Sequence, residues 1–347
     1  MALLCLGGSA FGQSDPSLSL STIPERVLKT PDSPKFETEC WYFDLVVRDA
    51  KGRALEPLQV TIELISNQHA VKRTTIDADG LKGIRRARYT LTDQVPKASP
   101  RRHFSLPEAF DLGFYFSEPR SSGINRLRIR LTVKDAAGKS LERAIDVPLG
   151  TYAQKTRLIF PLKGPAIVTQ GRFNQGGHVN RSTMYAMDVM GVSDTNYGPM
   201  TRNEDIADAV VGWGLEVLAP GDGVVTYARN DVPTNKKLYE TDVDVFSALA
   251  DPVWASNGNC VVIDHGNGEF SALLHMQPGS VTVKIGDHVT QGQVVGKLGN
   301  SGDSNMPHLH YQLMNGPVMF VADGLPFKFE NLNETSFAPG TYLTPKK

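Results

Sequence analysis

The sequence predicts an all-β protein of two domains, and three observations point there. At 347 residues the chain is too long for one ordinary core, so two domains are expected, each able to bury a sizeable apolar interior. Short segments alternate apolar and polar side chains with the period of two that a half-buried strand requires. Turn signals rich in Gly, Asp and Asn separate those segments, and no long helical period intervenes.

Composition narrows the partners. The formal net charge is −1, so no global field steers the chain to nucleic acid or an anionic membrane. The arginines at Arg85, Arg86, Arg88, Arg101 and Arg102 read as solvated strand edges and loops. Residues 1–13, MALLCLGGSAFGQ, form a short apolar run ending in small residues, like the last part of a secretory signal without its basic start. An exported protein, periplasmic or extracellular, is therefore expected. No other run approaches the roughly 20 apolar residues of a membrane helix, so no membrane span is expected. Cys5 lies in the signal-like run and lacks a convincing lipobox. Cys40 and Cys260 would pair only if the two domains touched there, and two separate buried thiols are the preferred reading.

Residues 14–34 are rich in Ser, Pro and Thr and read as an extended lead-in. Residues 35–150 read as an immunoglobulin-like β-sandwich, with strands at 41–47, 58–64, 88–91, 114–116 and 126–133. The second and last of these alternate strictly, one face apolar and one wet. Turn signals fall at 49–53, 77–80 and 135–139. Asp77-Ala78-Asp79-Gly80 looks like the start of a calcium loop, but the required glycine is misplaced and the twelfth position is Arg88 instead of Glu. His69 and His103 have no carboxylate or thiol partner nearby in sequence and read as surface or structural. This half shows no catalytic constellation.

Residues 151–163 read as a linker, 164–325 as the second domain and 326–347 as a C-terminal tail. Strands are expected at 185–190, 216–219, 224–228, 260–264, 270–274, 281–283, 294–298 and 308–313. Tight turns at Pro220-Gly221-Asp222-Gly223 and His265-Gly266-Asn267-Gly268 join successive strands. The long insertion at 230–259 is expected to form a loop over one face.

In Pro307-His308-Leu309-His310-Tyr311-Gln312-Leu313 the alternation projects His308 and His310 from one strand face. Such a pair is commonly just surface, so a metal role needs partners. A hydrolytic zinc site keeps three protein ligands and one open position for water, and two His plus one carboxylate is an accepted set. His178 follows the flexible Gly176-Gly177. Asp188 stands among Tyr185, Met187 and Val189 on a presumed core strand, where a lone carboxylate is expensive to bury and a metal would remove the difficulty. His275 ends an apolar strand, where side chains enter a cleft or stay exposed.

Taken in order, His178 and Asp188, then Gly258-Asn259-Cys260-Val261-Val262-Ile263-Asp264-His265-Gly266, then Leu274-His275-Met276, then Gly299-Asn300-Ser301-Gly302 and Pro307-His308-Leu309-His310 resemble the lysostaphin-type zinc metallopeptidases. The resemblance covers residues 160–321. It implies an antiparallel β-sheet metallopeptidase domain with a groove and one zinc ion held by His178, Asp188 and His310. It also implies that His275 and His308 stand beside the reacting carbonyl as acid, base or oxyanion stabiliser. The substrate it implies is the peptide cross-link of bacterial peptidoglycan. One feature departs from the family: many members place three residues between the first His and the Asp, whereas residues 179–187 intervene here. His178 must then sit on a loop that folds back, at an entropic cost. Asn174 and Asn180 lie nearby but are poorer zinc ligands.

Two rival readings keep the fold. Residues 280–296 also resemble biotinyl and lipoyl carrier domains, but the turn at 219–223 offers no lysine for attachment. His265 and His288 then read as turn residues. The second rival is a catalytically silent lysostaphin-like domain that binds cell wall or activates another wall hydrolase. The presence of all three ligands and both accessory histidines favours an active peptidase. Specificity is expected in the loops at 230–259 and 194–208. The front domain is expected to position substrate or to space the catalytic domain, ahead of inhibiting it.

Overall fold

In the computed structural model the described residues are 13–33, 37–86, 109–172, 178, 182–193, 207–249, 251–319 and 322–346. Two compact units divide the chain, the main segment of the first ending at Thr151 and that of the second beginning at Tyr152. Strands dominate both, as the sequence predicts.

The first unit contains β1 (Gln13–Ser14), β2 (Leu18–Ile23), β3 (Val27–Ser33), β4 (Thr38–Asp49), β5 (Leu55–Ser66) and β6 (His69–Asp77). A short helix α1 (Ala78–Ile84) follows, then β7 (Arg85–Arg86), β8 (Ala109–Pro119), β9 (Arg126–Asp135) and β10 (Ser140–Thr151). The described strands run in the order β6-β5-β9-β10-β3-β4-β8-β7, with β1 on β10 and β2 on β4. Along β9 the alternation is strict. Leu127, Ile129, Leu131 and Val133 point into the core, while Arg128 and Arg130 pair outside with Asp146 and Glu142 of β10. Trp41, Phe43 and Leu45 of β4 join the same core as Val60, Ile62 and Leu64 of β5. Strands distant in the order therefore face one another across one interior, as two layers do.

Two expectations for this unit change. The expected lead-in at 14–34 contains two paired strands: β2 pairs with β4 from Leu18↔Asp49 to Ile23↔Asp44, and β3 pairs in parallel with β10. The alternation Leu18-Ser19-Leu20-Ser21 outweighs the Ser and Pro composition, and Leu18 and Val27 are wholly buried. The expected turn at 77–80 opens α1, where Asp77 Oδ1 accepts from the Gly80 amide at 3.0 Å and so satisfies a first-turn donor. The pairs β1–β10 and β3–β10 are parallel. The expected strand at 88–91 and His103 lie outside the described residues, and His69 is exposed on β6.

The second unit contains β11 (Ala166–Gln170), β12 (Met187–Gly191), β13 (Glu216–Leu218), β14 (Gly223–Arg229), β15 (Asn259–Asp264) and β16 (Phe270–Met276). It continues with β17 (His288–Val289), β18 (Val294–Lys297), β19 (Leu309–Met314), β20 (Gly324–Leu325) and β21 (Tyr342–Leu343). The main sheet runs β17-β14-β15-β16-β19-β12-β11-β21, with β20 on β19 and a separate β13-β18 pair. Every pairing among these strands is antiparallel. Residues 281–283 are not a strand, although Val281 and Val283 pack against the core. The insertion at 230–259 is more than a loop. It holds the short helices α2 (Val243–Ser247) and α3 (Pro252–Ala255) and buries Val232, Phe246 and Ala255.

Described residues of 151–163 and 326–347 pack into the second unit's core. Leu158, Phe160 and Leu162 from the expected linker share one core with Phe327, Phe329, Leu332, Phe337 and Leu343 from the expected tail. Phe160 meets Phe329 edge to face at 5.7 Å, and β21 pairs with β11. Phe327-Lys328-Phe329-Glu330 alternates buried and exposed residues without joining a strand, and the rings of Phe327 and Phe329 fill the space beneath β19. Phe337 is 2 % exposed and lies against Phe327 and Phe329. Phe337→Ala should cost about 3–5 kcal/mol. Denaturant unfolding of the full chain checks this, and a loss below about 1 kcal/mol would show the segment to be peripheral.

Both Cys40 and Cys260 are buried and no disulfide joins them. Burial pushes the Cys260 thiol up to about 12, which keeps it an unreactive packing residue. No helix among the described residues is long and apolar enough to cross a membrane.

Candidate active site

The face of β19 opposite the core carries His310. Leu309, Tyr311 and Leu313 point into the main core, so the pleat turns His310 and Gln312 to the other side. In register, Asp188 of β12 stands directly across from His310, while Met187 and Val189 point into the core. Adjacent antiparallel strands thus bring together two residues far apart in sequence. His310 Nδ1 lies 2.8 Å from Asp188 Oδ1. His178 Nε2 reaches the same oxygen at 3.3 Å, and its ring meets that of His310 edge to face at 5.0 Å. His308 Nε2 stands 3.7 Å from that oxygen, and His275 packs on His308 with ring centroids 4.8 Å apart. All five residues singled out from sequence meet at one place.

The second nitrogen of each imidazole shows where its hydrogen sits. His178 Nδ1 lies 2.8 Å from Gly171 O, His275 Nδ1 2.9 Å from Ser301 O and His308 Nδ1 2.8 Å from Met306 O. Carbonyl oxygens only accept, so each of these nitrogens donates and leaves a lone pair on Nε2. His310 is turned the other way, with Nε2 at 2.9 Å from Gln312 Oε1. Lone-pair nitrogens of His178, His308 and His310 therefore converge on one carboxylate oxygen. Such a cluster needs positive charge, from protons on the imidazoles or from a divalent cation.

The donor set fits such an ion. His178, Asp188 and His310 each offer one ligand atom, all within 4.8 Å of one another, and all three residues are buried. Atoms bound at about 2.0–2.1 Å to one tetrahedral zinc lie about 3.3 Å apart, against 3.3 Å from Asp188 Oδ1 to His178 and 2.8 Å to His310. The nine-residue spacing still lets His178 fold back to Asp188, although residues 179–181 lie outside the described set.

Electrostatics follow from burial and crowding. Burial pushes the Asp188 carboxyl upward, but the neighbouring His308 and His178 outweigh it and hold the acid well below the usual range. Burial works against a charged His178, yet the Asp188 carboxylate raises it above its ordinary value. His275 is driven well below its ordinary value, chiefly by burial and further by His308 and His310, so it is neutral near pH 7. His275 also adopts φ +66°, in the left-handed region that residues other than glycine seldom enter. Its amide donates to Asn257 O at 3.1 Å, and the conformation falls where the β15–β16 register shifts between Val261↔Leu273 and Asn259↔Met276.

A buried polar network lies behind the accessory histidines. Asn300 Nδ2 donates to Asn235 O at 2.8 Å, Ser304 Oγ donates to Asn300 Oδ1 at 2.6 Å, and Ser304 Oγ lies 3.2 Å from His308 Nδ1. The 230–259 insertion thereby braces the loop that carries His308. Sequence reading missed Asn235, Ser304 and Gln312. For Gln312 a signal was present, since it continues the alternation of His308 and His310 on one face. His265 lies apart from the cluster, between Asp222 O and Ser271 Oγ, each at 2.7 Å. His288 sits exposed on β17. Asn174, Asn180 and residues 194–206 lie outside the described residues.

Residues 205–320 match the family model described as Peptidase family M23. That segment holds His275, His308 and His310, whereas His178 and Asp188 precede it. The peptidoglycan DD-endopeptidase ShyC of Vibrio cholerae is 38% identical over 87 residues, which are 21% of this chain and 20% of the relative. The peptidoglycan DD-endopeptidase ShyA of the same organism is 35% identical over 115 residues, 33% of this chain and 21% of the relative. The chain thus spans about a fifth of the length of these curated relatives. A crystal structure of a zinc-containing peptidase from Vibrio cholerae aligns over 84% of this chain and 82% of its own, at 17% identity and a TM-score of 0.29.

Proposed function

We propose, from the premise that residues 205–320 are a domain of peptidase family M23, that this chain is a zinc metalloendopeptidase that hydrolyses peptide cross-links of bacterial peptidoglycan. The observation that carries the reading is the convergence of His178, Asp188 and His310, with their lone pairs turned to one point and two further imidazoles beside it. Those three residues would hold the zinc. When bound, zinc supplies a Lewis acid and makes water a usable nucleophile near neutral pH.

The remaining steps belong to His275 and His308. Both keep their hydrogen on Nδ1, tied to a backbone carbonyl, so Nε2 is the nitrogen that takes up or gives back a proton. Neutral His275 can accept the proton that the attacking water loses. A protonated Nε2 can donate to the carbonyl oxygen as negative charge builds there and then to the leaving amine. His308, held by Met306 O and Ser304 Oγ, is fixed in direction before substrate arrives, so little reorganisation is needed during reaction. Acting on cell wall, the protein works outside the cytoplasm, and the first unit positions substrate or spaces the catalytic unit.

The test is digestion of purified sacculi by the full chain. Soluble muropeptides with new amino termini should appear, stop with a zinc chelator and return when zinc is restored. A chain that binds zinc and sacculi yet releases nothing would instead be the silent, wall-binding form.

A further inference from the structure

His178, His275 and His308 each rest their second nitrogen on a backbone carbonyl, but His310 does not. The cause is its position. It sits inside β19, hydrogen-bonded between β16 and β12, so the carbonyls around it are committed to the sheet. The nearest group on its own face is two residues on, and there stands Gln312, wholly buried, with Oε1 2.9 Å from His310 Nε2.

A glutamine amide can face either way, but these surroundings allow one orientation. Gln312 Nε2 lies 3.0 Å from Ser182 O and 3.1 Å from Ser182 Oγ. The Ser182 carbonyl only accepts, so the amide NH2 must face Ser182 and the amide oxygen must face His310. Reversing the amide would set two carbonyl oxygens together between the wholly buried Ser182 and Gln312.

We infer that Gln312 is a positioning residue that fixes the hydrogen of His310 on Nε2 and thereby presents Nδ1, not Nε2, to the metal. Ser182 is the clamp that keeps Gln312 in that sense. The inference rests on the proposed metal site of His178, Asp188 and His310. It adds what holds the His310 ring in that sense.

The experiment is long-range ¹⁵N–¹H NMR of the His310 ring in the full chain, with zinc affinity measured by competition against a chromophoric chelator. In the wild type, Nε2 should read as hydrogen-bearing both with zinc and after chelation. Gln312→Met keeps the volume and removes the acceptor. It should weaken zinc binding 10–100-fold and give a mixed ring pattern. Gln312→Glu retains an acceptor towards His310 and, buried as the neutral acid, a donor towards Ser182, so it should restore both properties. A bare Nε2 in the wild type would overturn the inference, as would a Gln312→Met chain with unchanged affinity and ring pattern. If Gln312→Met does not fold, the wild-type spectrum and Gln312→Glu decide. If the wild type takes up no zinc, the metal reading fails, and the ring pattern of the chelated chain still tests Gln312 separately.

Discussion

Asp188→Ala should abolish zinc binding and hydrolysis together. Its Oδ1 is the atom on which His310, His178 and His308 converge, at 2.8, 3.3 and 3.7 Å. Removing it deletes one proposed ligand and leaves buried imidazoles around a site with no negative charge. The loss in affinity should exceed the 10–100-fold typical of outer partners. The fold should survive, because Met187 and Val189 hold β12 in the core from the opposite face. Elemental analysis of the purified variant, beside circular dichroism and sacculus digestion, checks all three points. Asp188→Asn keeps the shape and loses the charge, so it separates electrostatics from packing. A folded Asp188→Ala chain with full zinc content would place the metal elsewhere.

His308→Ala should keep its zinc and lose rate. Its Nε2 is the most distant of the three nitrogens from Asp188 Oδ1, and its Nδ1 is anchored to Met306 O at 2.8 Å. It is thus placed to exchange a proton with substrate, and removal of such a group typically costs 10²–10⁴-fold in turnover. The loss should fall on kcat with little change in KM. His310→Ala should behave like Asp188→Ala. If His308→Ala came out without metal while His310→Ala kept it, the roles of the pair would be exchanged.

How much of this was legible follows from the kind of signal each residue carries. Asp188 was readable because a lone carboxylate among core residues is costly without a partner, and His308 and His310 because the alternation set two imidazoles on one strand face; all three residue types match zinc chemistry. The alternation placed His310 outward and Leu309 inward, as the core shows. The register Asp188↔His310 was not readable, since strand pairing is a long-range property that one segment does not encode. Phe160 and Phe329 hid for a related reason: they belong to no strand, and each is buried against the other from 169 residues away. At the front of the chain the error ran the other way. Serines and prolines suggested a lead-in, while the spacing of Leu18 and Leu20 already carried a strand. Gln312 was missed because a buried amide resembles any polar strand residue until its neighbours show which way it is turned.

The most direct test is anomalous diffraction at the zinc edge from crystals of the full chain. A single peak is expected, with His178 Nε2, Asp188 Oδ1 and His310 Nδ1 each at about 2.0–2.2 Å. A peak that leaves out His178, or one lying away from Asp188, would contradict the account.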